Sequence, residues 1–345
     1  MGAAARNQAA RDEEIVIMTA ATAIAIALAA GLLSWLGTWR LIKILGARGV
    51  LDRPNERSSH AVPTPRGGGI AVIGAILIAW TAIMAMTGMF RDAWIVPAAA
   101  LGLAMLSWRD DCQGLPAYVR LIGHAIAVAA ALESMPGVGA IFGAWMPAWL
   151  AYLVVAGAWI WLVNLFNFMD GIDGIAGGEA LSIGIGVAVV AVIAHLDPPL
   201  AAMGLALAAS AFGFLLWNWH PARIFLGDVG SVPLGFLAGY LLLRLAEAGN
   251  WAPALILPLY FLADATITLF RRALNGERVW QAHKSHFYQR AVALGMSHAR
   301  GTSLALGANA LLIGAAAAAA SGRVLIGLAA AGATVAVLLG MLGRK

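Results

Sequence analysis

The sequence predicts an all-α integral membrane protein with ten or eleven transmembrane helices. Of its 345 residues, 61% are hydrophobic and only 11% are charged, whereas a soluble domain carries about 25% charged residues. Apolar runs of ~20 residues, the length that a bilayer-spanning helix needs, recur along the whole chain. Because no polar stretch between them could form a separate soluble domain, we expect one polytopic membrane domain over residues 1–345.

The hydrophobic runs give the order of the predicted helices. Residues 1–14 are predicted to form a short polar tail, and the apolar run that follows is too long for a cleaved signal. The single cysteine, Cys112, excludes a disulfide framework. Eleven spans are favoured over ten, and they lie near residues 15–37, 68–90, 92–107, 118–134, 142–163, 175–195, 199–218, 230–246, 251–270, 301–321 and 323–342.

The basic residues predict how the chain is oriented. Most of the 22 lysines and arginines fall in alternate loops, chiefly the loops 38–67 and 271–300. By the positive-inside rule, that face is cytoplasmic, which puts the N-terminus outside and the C-terminus inside. The net charge of +5 does not point to nucleic acid, because the basic residues cluster beside membrane spans.

The stretch "NLFNFMDGIDGIAGG", residues 164–178, carries polar side chains at every third position: Asn164, Asn167, Asp170 and Asp173. Neighbours in this series share a helix face, and the interleaved glycines leave the backbone open to a ligand. The spacing does not fit an EF-hand loop. A polar loop with glycines for packing is the alternative, but ionisable groups beside hydrocarbon are costly and usually functional.

Two further motifs carry carboxylates on the same predicted face. Asp110 and Asp111 end the third span in "SWRDDCQGLPAYVR", and Asp228 lies in "RIFLGDVGSVPLGF" just before Ser231, which could cap the next helix. Mg²⁺ prefers one or two carboxylates together with substrate oxygens, and backbone N–H groups at a helix start favour phosphate. The sequence therefore indicates metal ligands among these three aspartates, with solvated helix-end carboxylates as the alternative.

Two basic loops offer partners for phosphate. "DRPNERSSHAVPTPRGGGIAV" carries His60 and Arg66, and arginine suits bidentate phosphate contacts. "RRALNGERVWQAHKSHFYQR" carries His283, His286 and Arg290, which would share one face of a helix. The histidines lack a third partner for zinc, so donors to a diphosphate fit better. An amphipathic interfacial helix is the alternative for the second loop.

Other ionisable groups inside the spans are assigned lower weight. Asp264, late in the ninth span, is either a site residue or a packing partner of an arginine. His124 and Glu179 are interpreted as structural.

Taken together, the motifs resemble one family, the MraY/WecA-type polyprenyl-phosphate N-acetylhexosamine-1-phosphate transferases of glycosyltransferase family 4. The resemblance runs from about residue 52 to 290, in the order of the family. It rests on "PTPRGGG" at 63–69, the pair Asp110 and Asp111, "NLFNFMDGIDGIA", "GDVGS" and "HKSHFYQR". It implies a helical membrane fold with ten or eleven spans.

The resemblance also implies a reaction and its participants. Undecaprenyl phosphate would attack the β-phosphorus of a UDP-N-acetylhexosamine, giving an undecaprenyl-diphosphate sugar and UMP. A phosphate monoester is already mostly anionic at neutral pH, so the enzyme must supply positioning and charge neutralisation. The cofactor expected for this is Mg²⁺, or alternatively Mn²⁺.

The implied roles are catalysis, including metal binding, and substrate binding. Catalysis is expected of Asp110, Asp111, Asp228, His283 and His286, with Asp228 as principal metal ligand and Asp110 or Asp111 completing the metal shell or orienting the lipid phosphate. Substrate binding is expected of Asn164, Asn167, Asp170, Asp173, His60, Arg66 and Arg290. A covalent aspartyl-phosphate route through Asp110 or Asp111 is the alternative mechanism.

The motif "HKSHFYQR" differs from the family pattern. Many members have more histidines at this place, whereas this chain has His283, His286 and then Tyr288. This variant resembles the O-antigen-initiating branch, which uses 6-deoxy N-acetylhexosamines such as N-acetylfucosamine or N-acetylquinovosamine. The expected location is a bacterial inner membrane, with the lipid bilayer as partner and a homodimer left open.

Two other classes of protein compete with the transferase. A secondary transporter would bind at the bilayer midplane between repeats, but these carboxylates cluster at one face. A CDP-alcohol phosphotransferase would need an Asp-Gly-x-x-Ala-Arg string, which is broken at Gly177.

Overall fold

The computed structural model describes residues 18–52, 62–278 and 283–343, and most of these residues are helical. The helices are α1 (Ala20–Ala47), α2 (Gly69–Met86), α3 (Phe90–Ala93), α4 (Ile95–Gln113), α5 (Ala117–Leu132), α6 (Ala148–Phe168), α7 (Ile175–Ile193), α8 (Pro198–Asn218), α9 (Asp228–Glu247), α10 (Trp251–Ile256), α11 (Leu259–Leu274), α12 (Phe287–Ala293), α13 (His298–Ala320) and α14 (Val324–Leu342). Two short strands, β1 (Leu51–Asp52) and β2 (Thr64–Pro65), pair antiparallel. The prediction of an all-α membrane protein is confirmed.

Nine helical segments in the described part of the chain are long and apolar enough to cross a membrane, with α3 and α4 counting as one segment. The helix α5 is apolar but shorter. The crossing predicted at 251–270 is divided into α10 and α11 around Pro258, which cannot donate a backbone hydrogen bond and disfavours helix in the residue before it. Each of the eleven predicted spans therefore contains helix, and nine of them are long and apolar enough to cross a membrane.

Several predicted helix ends were wrong in ways that affect the site. The first helix continues to Ala47 instead of 37, and α4 continues to Gln113 instead of 107. The predicted span 142–163 is shifted to 148–168, after two short 3₁₀ turns at Pro136–Ala140 and Gly143–Trp145. The supposed loop 271–300 contains α12 and the ends of two other helices. Hydropathy placed the predicted helix ends at polar residues. The helices continue through these residues because their side chains point to solvent or to each other while the backbone stays helical.

The centre of the bundle is formed by α7 and α9, in which most of the membrane-length segment is buried. Glycines allow the central helices to approach closely: a Cβ on Gly184 of α7 would lie 2.5 Å from the Gly204 carbonyl oxygen of α8. Small residues at such crossings let backbones meet in a membrane. Both α7 and α9 begin beside the polar residues described below, so a rigid scaffold supports those residues.

An apolar groove of about 540 Å³ lies along α6 and α9 and is bordered by α10 and α11. Its wall includes Val155, Trp159 and Leu162 of α6, Leu242 of α9 and Leu255 of α10. The same helix α6 carries Asn167 at its last turn. The lining on α6 ends at Leu162, and that helix continues from there to the polar residues at its last turn.

Candidate active site

Four helix ends and two loops meet in a group of charged side chains that we call the acidic cluster. It consists of Asp110 and Asp111 in the last turn of α4, Arg120 in the first turn of α5, Asn167 in the last turn of α6, Asp170 in the loop after α6, Asp228 at the start of α9, and Arg66. Consecutive helices enter or leave the bundle at this point. The predicted convergence of Asp110, Asp111, Asp170 and Asp228 on one end of the molecule is therefore present in the structure.

Arg66 lies between two of the carboxylates. Its Nη2 atom is 2.6 Å from Asp111 Oδ1 and 2.7 Å from Asp228 Oδ1. Backbone hydrogen bonds hold it there, because the N–H groups of Gly67 and Gly68 donate to the Phe225 carbonyl at 3.1 and 2.9 Å. The loop that carries Arg66 is thus attached to the segment that precedes Asp228.

Asp111 occupies the N-terminus of α9. Its Oδ1 accepts a hydrogen bond from the N–H of Asp228 at 3.1 Å, and its Oδ2 accepts one from Val229 at 3.0 Å. These are unpaired donors of the first helical turn, which favour an anion. The sequence suggested a phosphate at this helix start, whereas the structure has the Asp111 carboxylate there. Only glycine fits at position 227, where φ is +76° and a Cβ would lie 2.8 Å from Asp111 Oδ2.

A chain of hydrogen bonds orients Asp228 from its other side. Asn167 Nδ2 donates to Asp228 Oδ2 at 3.2 Å, and Ser231 Oγ donates to Asn167 Oδ1 at 2.9 Å. Ser231 therefore does not cap α9 as predicted. Gly227 takes the N-cap position, and Ser231, one turn into the helix, fixes the orientation of the Asn167 amide instead.

Arg120 provides the second positive charge of the cluster. Its Nη1 atom lies 3.0 Å from Asp110 Oδ2 and 3.8 Å from Asp228 Oδ2. The side chains of Asp110, Asp111 and Asp228 are 8%, 3% and 15% exposed, so water screens these ion pairs less than it would on an open surface.

Asp170 is the carboxylate of the acidic cluster whose charge is least offset by hydrogen bonds from described residues. It accepts no side-chain hydrogen bond from any residue in the described ranges, and desolvation together with the nearby Asp228 raises its pKa to about 7. With all four carboxylates ionised, the two guanidinium groups would leave two negative charges, and a bound cation would favour that state over the partly protonated one that a pKa of about 7 gives Asp170. Oxygen ligands with this excess charge fit a hard divalent cation such as Mg²⁺. An ion shared by Asp111 and Asp228 would require the Arg66 guanidinium to move aside.

Asn164 and Asp173 of the same motif lie outside the acidic cluster. Asn164 Nδ2 donates to the Ile160 carbonyl at 2.7 Å, one turn back in α6. The helix face predicted for neighbours in this series does not extend past Asn167, because α6 ends at Phe168 and the chain then turns. Asp170 and Asp173 consequently face different neighbours.

Asp173 forms a separate group with two histidines, which we call the histidine clamp: Asp173, His220 and His298. Asp173 Oδ2 is 2.6 Å from His220 Nδ1, and Asp173 Oδ1 is 3.2 Å from His298 Nδ1. The Ala222 N–H also donates to Asp173 Oδ2 at 3.2 Å. Desolvation alone would raise the pKa of Asp173, but the hydrogen bonds from His298 and His220 outweigh it and hold the pKa below its ordinary value.

No pattern in the sequence indicated that these three residues meet. Its three ligand-type atoms lie within 4.8 Å of one another, a separation that a metal site would also have. Both carboxylate oxygens already contact a histidine, however, and the Asp173 N–H donates to His298 Nδ1 at 3.4 Å, so the geometry describes a hydrogen-bonded clamp between three segments of chain. His220 and His298 were not singled out because they are 47 and 125 residues from Asp173 and belong to no periodic pattern.

The histidine motif also differs from its prediction. His286 is the N-cap of α12 and His283 precedes that helix, so they do not share a helical face, although their ring centroids are 4.9 Å apart. His286 Nδ1 lies 3.2 Å from Asp264 Oδ1, and both side chains are buried. The N–H of Phe287 donates to the same carboxylate at 3.0 Å. Asp264 therefore serves as the anion at the start of α12.

Two residues of α12 point in opposite directions. Tyr288 OH donates to the Phe168 carbonyl at 3.1 Å, which attaches α12 to the end of α6 beside Asp170. Arg290 is two positions further on a helix of about 3.6 residues per turn, so it points away from that contact. It lines another cavity, described below. His60 lies outside the described residues.

An apolar helical bundle with charged side chains concentrated at one end defines a class of protein, an integral membrane protein with a polar site at the membrane surface. Residues 93–246 match the model of Glycosyl transferase family 4. A probable undecaprenyl-phosphate N-acetylglucosaminyl 1-phosphate transferase of Bacillus subtilis is 30% identical over 292 residues, which cover 80% of this chain and 79% of that protein.

Two other relatives extend the comparison. A decaprenyl-phosphate N-acetylglucosaminephosphotransferase of Mycobacterium tuberculosis is 28% identical, covering 80% of this chain and 77% of the relative. A phospho-N-acetylmuramoyl-pentapeptide-transferase of Thermosynechococcus vestitus is 28% identical, covering 71% and 72%. The chain belongs to glycosyl transferase family 4, and it is a multi-pass membrane transferase.

Proposed function

We propose that this transferase moves an N-acetylhexosamine-1-phosphate from a UDP-sugar to a polyprenyl phosphate, undecaprenyl phosphate in particular. An oxygen of the lipid phosphate forms a bond to the β-phosphorus, and the bond from that phosphorus to the bridging oxygen breaks. UMP leaves with the electron pair, and the product is a polyprenyl-diphosphate sugar. The observation that carries the proposal is the arrangement of Asp111, Arg66 and Asp228 at the end of an apolar bundle.

Charge neutralisation is the main task of the site, because two phosphorylated substrates must approach each other. Mg²⁺ or Mn²⁺ would be held by Asp228 with Asp111 or Asp110, and with Asp170 nearby, and would neutralise phosphate oxygens. Arg66 and Arg120 are already ion-paired to these carboxylates and would turn towards phosphate when the substrates and the ion arrive. We propose that Asn167 and Asp170 contact the nucleotide directly.

The remaining motif residues would act mainly by holding the helix ends and loops around the nucleotide site in place. Asn164 and Asp173 shape the two sides of the nucleotide site, because they fix the end of α6 and the loop after Asp170. His286 with Asp264 holds the start of α12. His283, partly exposed beside His286, is the histidine that we propose to face the donor. His60, from the loop before Arg66, is proposed as a further phosphate contact.

The apolar groove along α6 supports a lipid acceptor. It is lined by aliphatic and aromatic side chains over about 540 Å³, and α6 leads from it to Asn167. Apolar walls with few polar groups suit an isoprenoid chain. We propose that the polyprenyl chain lies in this groove while its phosphate reaches the acidic cluster.

The proposal for the donor sugar rests on one sequence motif. The motif "HKSHFYQR" supports a 6-deoxy donor such as UDP-N-acetylfucosamine or UDP-N-acetylquinovosamine and, with it, a role in starting O-antigen synthesis in the inner membrane. The relatives named above act on N-acetylglucosaminyl and phospho-N-acetylmuramoyl-pentapeptide substrates, so those UDP-sugars belong in the same test. UMP release from each donor, with undecaprenyl phosphate and purified protein, ranks the donors directly.

Asp228→Asn tests the site. Loss of one metal-binding charge is expected to lower UMP release by roughly 100-fold or more, with protein yield unchanged. The matched control is Asp92→Asn, an exposed carboxylate near the opposite end of α4, which should retain activity. UMP release near the unmodified level in Asp228→Asn would contradict the assignment. A phospho-aspartate at Asp110 or Asp111 in mass spectra of the stalled enzyme would replace direct transfer by the covalent route.

A further inference from the structure

A second charged cavity, which we call the basic cavity, lies between the end of α11 and the segment that leads into α12. It has a volume of about 330 Å³ and is lined by Thr268, Arg271, Arg272, Glu277, Lys284 and Arg290, among others. Arg290 points away from Tyr288, the residue that contacts α6 beside Asp170. None of the described residues that line the basic cavity belongs to the acidic cluster.

The charges in the basic cavity are unbalanced. Four cationic side chains face one carboxylate, Glu277, whose Oε2 atom is 2.7 Å from Arg272 Nε. Neither Arg271 nor Arg290 pairs with a carboxylate in the described part of the chain, and Arg271 lies over the Phe287 ring at 5.0 Å. Like charges held in one concave site repel each other unless an anion binds between them.

The surroundings of the cavity indicate its depth relative to the membrane. Phe270 and Leu274, on the turns of α11 that flank Arg271, are 64% and 72% exposed, and Leu294 at the end of α12 is 61% exposed. Large apolar side chains exposed beside arginines are typical of the level at which hydrocarbon meets headgroups. The basic cavity thus opens where lipid phosphates lie.

We propose that the basic cavity binds the phosphate of an anionic phospholipid headgroup. Arginine matches phosphate with two parallel hydrogen bonds, and basic pockets between membrane helices are suited to anionic headgroups. The phosphates of a soluble nucleotide have the same chemistry. The apolar side chains at the rim favour the lipid, because a soluble ligand gains nothing from them. This assignment does not depend on the proposed reaction.

The experiment is native mass spectrometry of the full chain, purified in detergent and offered equal amounts of phosphatidylglycerol and phosphatidylcholine. We expect the unmodified protein to retain at least fivefold more phosphatidylglycerol. The double variant Arg271→Gln/Arg290→Gln should lose that preference, and Arg271→Lys/Arg290→Lys should keep most of it. The matched control, Arg300→Gln, removes an exposed arginine outside the cavity and should behave like the unmodified protein.

Three outcomes would overturn the proposal. The first is an undiminished preference in the glutamine variant with a melting temperature like that of the control. The second is no preference in the unmodified protein. The third is displacement of phosphatidylglycerol by added UDP. In that case the basic cavity binds nucleotide phosphates, and the lipid assignment is wrong. If the glutamine variant does not fold, the lysine variant and the UDP arm still decide.

Discussion

Arg66 is the side chain on which the geometry of the acidic cluster depends most. Among the residues that the structure describes, it is the one side chain that contacts the carboxylates of both Asp111 and Asp228, and it is 35% exposed while they are nearly buried. Without it, the two neighbouring carboxylates would have only Arg120, the Asn167 amide and backbone donors, among the described residues, to offset their repulsion. The guanidinium is accordingly both a stabilising ion pair and a group that can turn towards an incoming phosphate.

We expect Arg66→Gln to lower kcat/KM for UMP release by roughly 100-fold, because a neutral side chain neither separates the carboxylates nor meets phosphate. Arg66→Lys should lose less, because it keeps the charge but not the fork that spans two acceptors. Steady-state kinetics on both variants distinguish these effects. Equal activity of the glutamine and lysine variants would show that the positive charge is not what matters.

His283 should make stability depend on pH. Its partial burial first, and then the neighbouring His286 and Arg272, lower its pKa to about 4. The unfolded chain takes up this proton near pH 6.5 and the folded chain resists it. The free energy of unfolding should therefore fall as the pH drops from about 6.5 towards 4, and His283 should have no effect above that range.

Melting temperatures at pH 7 and pH 5 check this expectation. The unmodified protein should lose more stability on acidification than His283→Gln, which has no group to titrate there. The same pH dependence in both proteins would contradict it. A pKa of about 4 would leave His283 uncharged at neutral pH. It would therefore contact the UDP-sugar through a neutral imidazole N–H and not as a cation.

At the scale of elements, the sequence predicted which helices exist better than where they end. Composition and hydropathy sufficed for an all-helical membrane protein, and the spaced polar motifs identified most residues of the acidic cluster. The exact ends of α4 and α6 were not predictable, because side-chain partners from distant segments decide them. Asp111, for example, is held by backbone donors of α9 that lie more than a hundred residues away in the chain.

Long-range pairs account for the other misses. Asp264 and His286 come from different elements, and the histidine clamp joins three. No local pattern indicates that such residues meet, because their contact is a product of the packed bundle. The placement of Arg290 on the far side of α12 likewise depended on where that helix begins, at Phe287.

The starts of α2 and α9 pack so closely that one methyl group should separate them. A Cβ on Gly69 would lie 2.9 Å from the Val229 carbonyl carbon and closer still to Gly230. We expect Gly69→Ala to lower the melting temperature and to cost most of the activity, because it moves Arg66 away from Asp228. Gly74→Ala, in the same helix but with no atom within 4 Å of its Cβ, is the matched control. Similar melting temperatures for the two variants would contradict this account.

At the scale of the whole molecule, the proposed orientation can be tested through a native residue. Cys112 is the only cysteine and is exposed, one position after Asp111. If the acidic cluster faces the cytoplasm, a membrane-impermeant maleimide should label Cys112 in inside-out vesicles and not in right-side-out vesicles. The variant Cys112→Ser/Asp92→Cys should give the opposite pattern. Labelling of Cys112 from the outside would reverse the topology.

The groove along α6 has a consequence for how the transferase would meet its acceptor. A chain that slides sideways from the bilayer into an apolar groove never has to dissolve in water, so no desorption step limits its arrival. The rate would then follow the number of acceptor molecules per unit area of membrane and not their amount per volume of suspension. Inert lipid added to the same vesicles would slow the enzyme simply by spreading its acceptor over more surface.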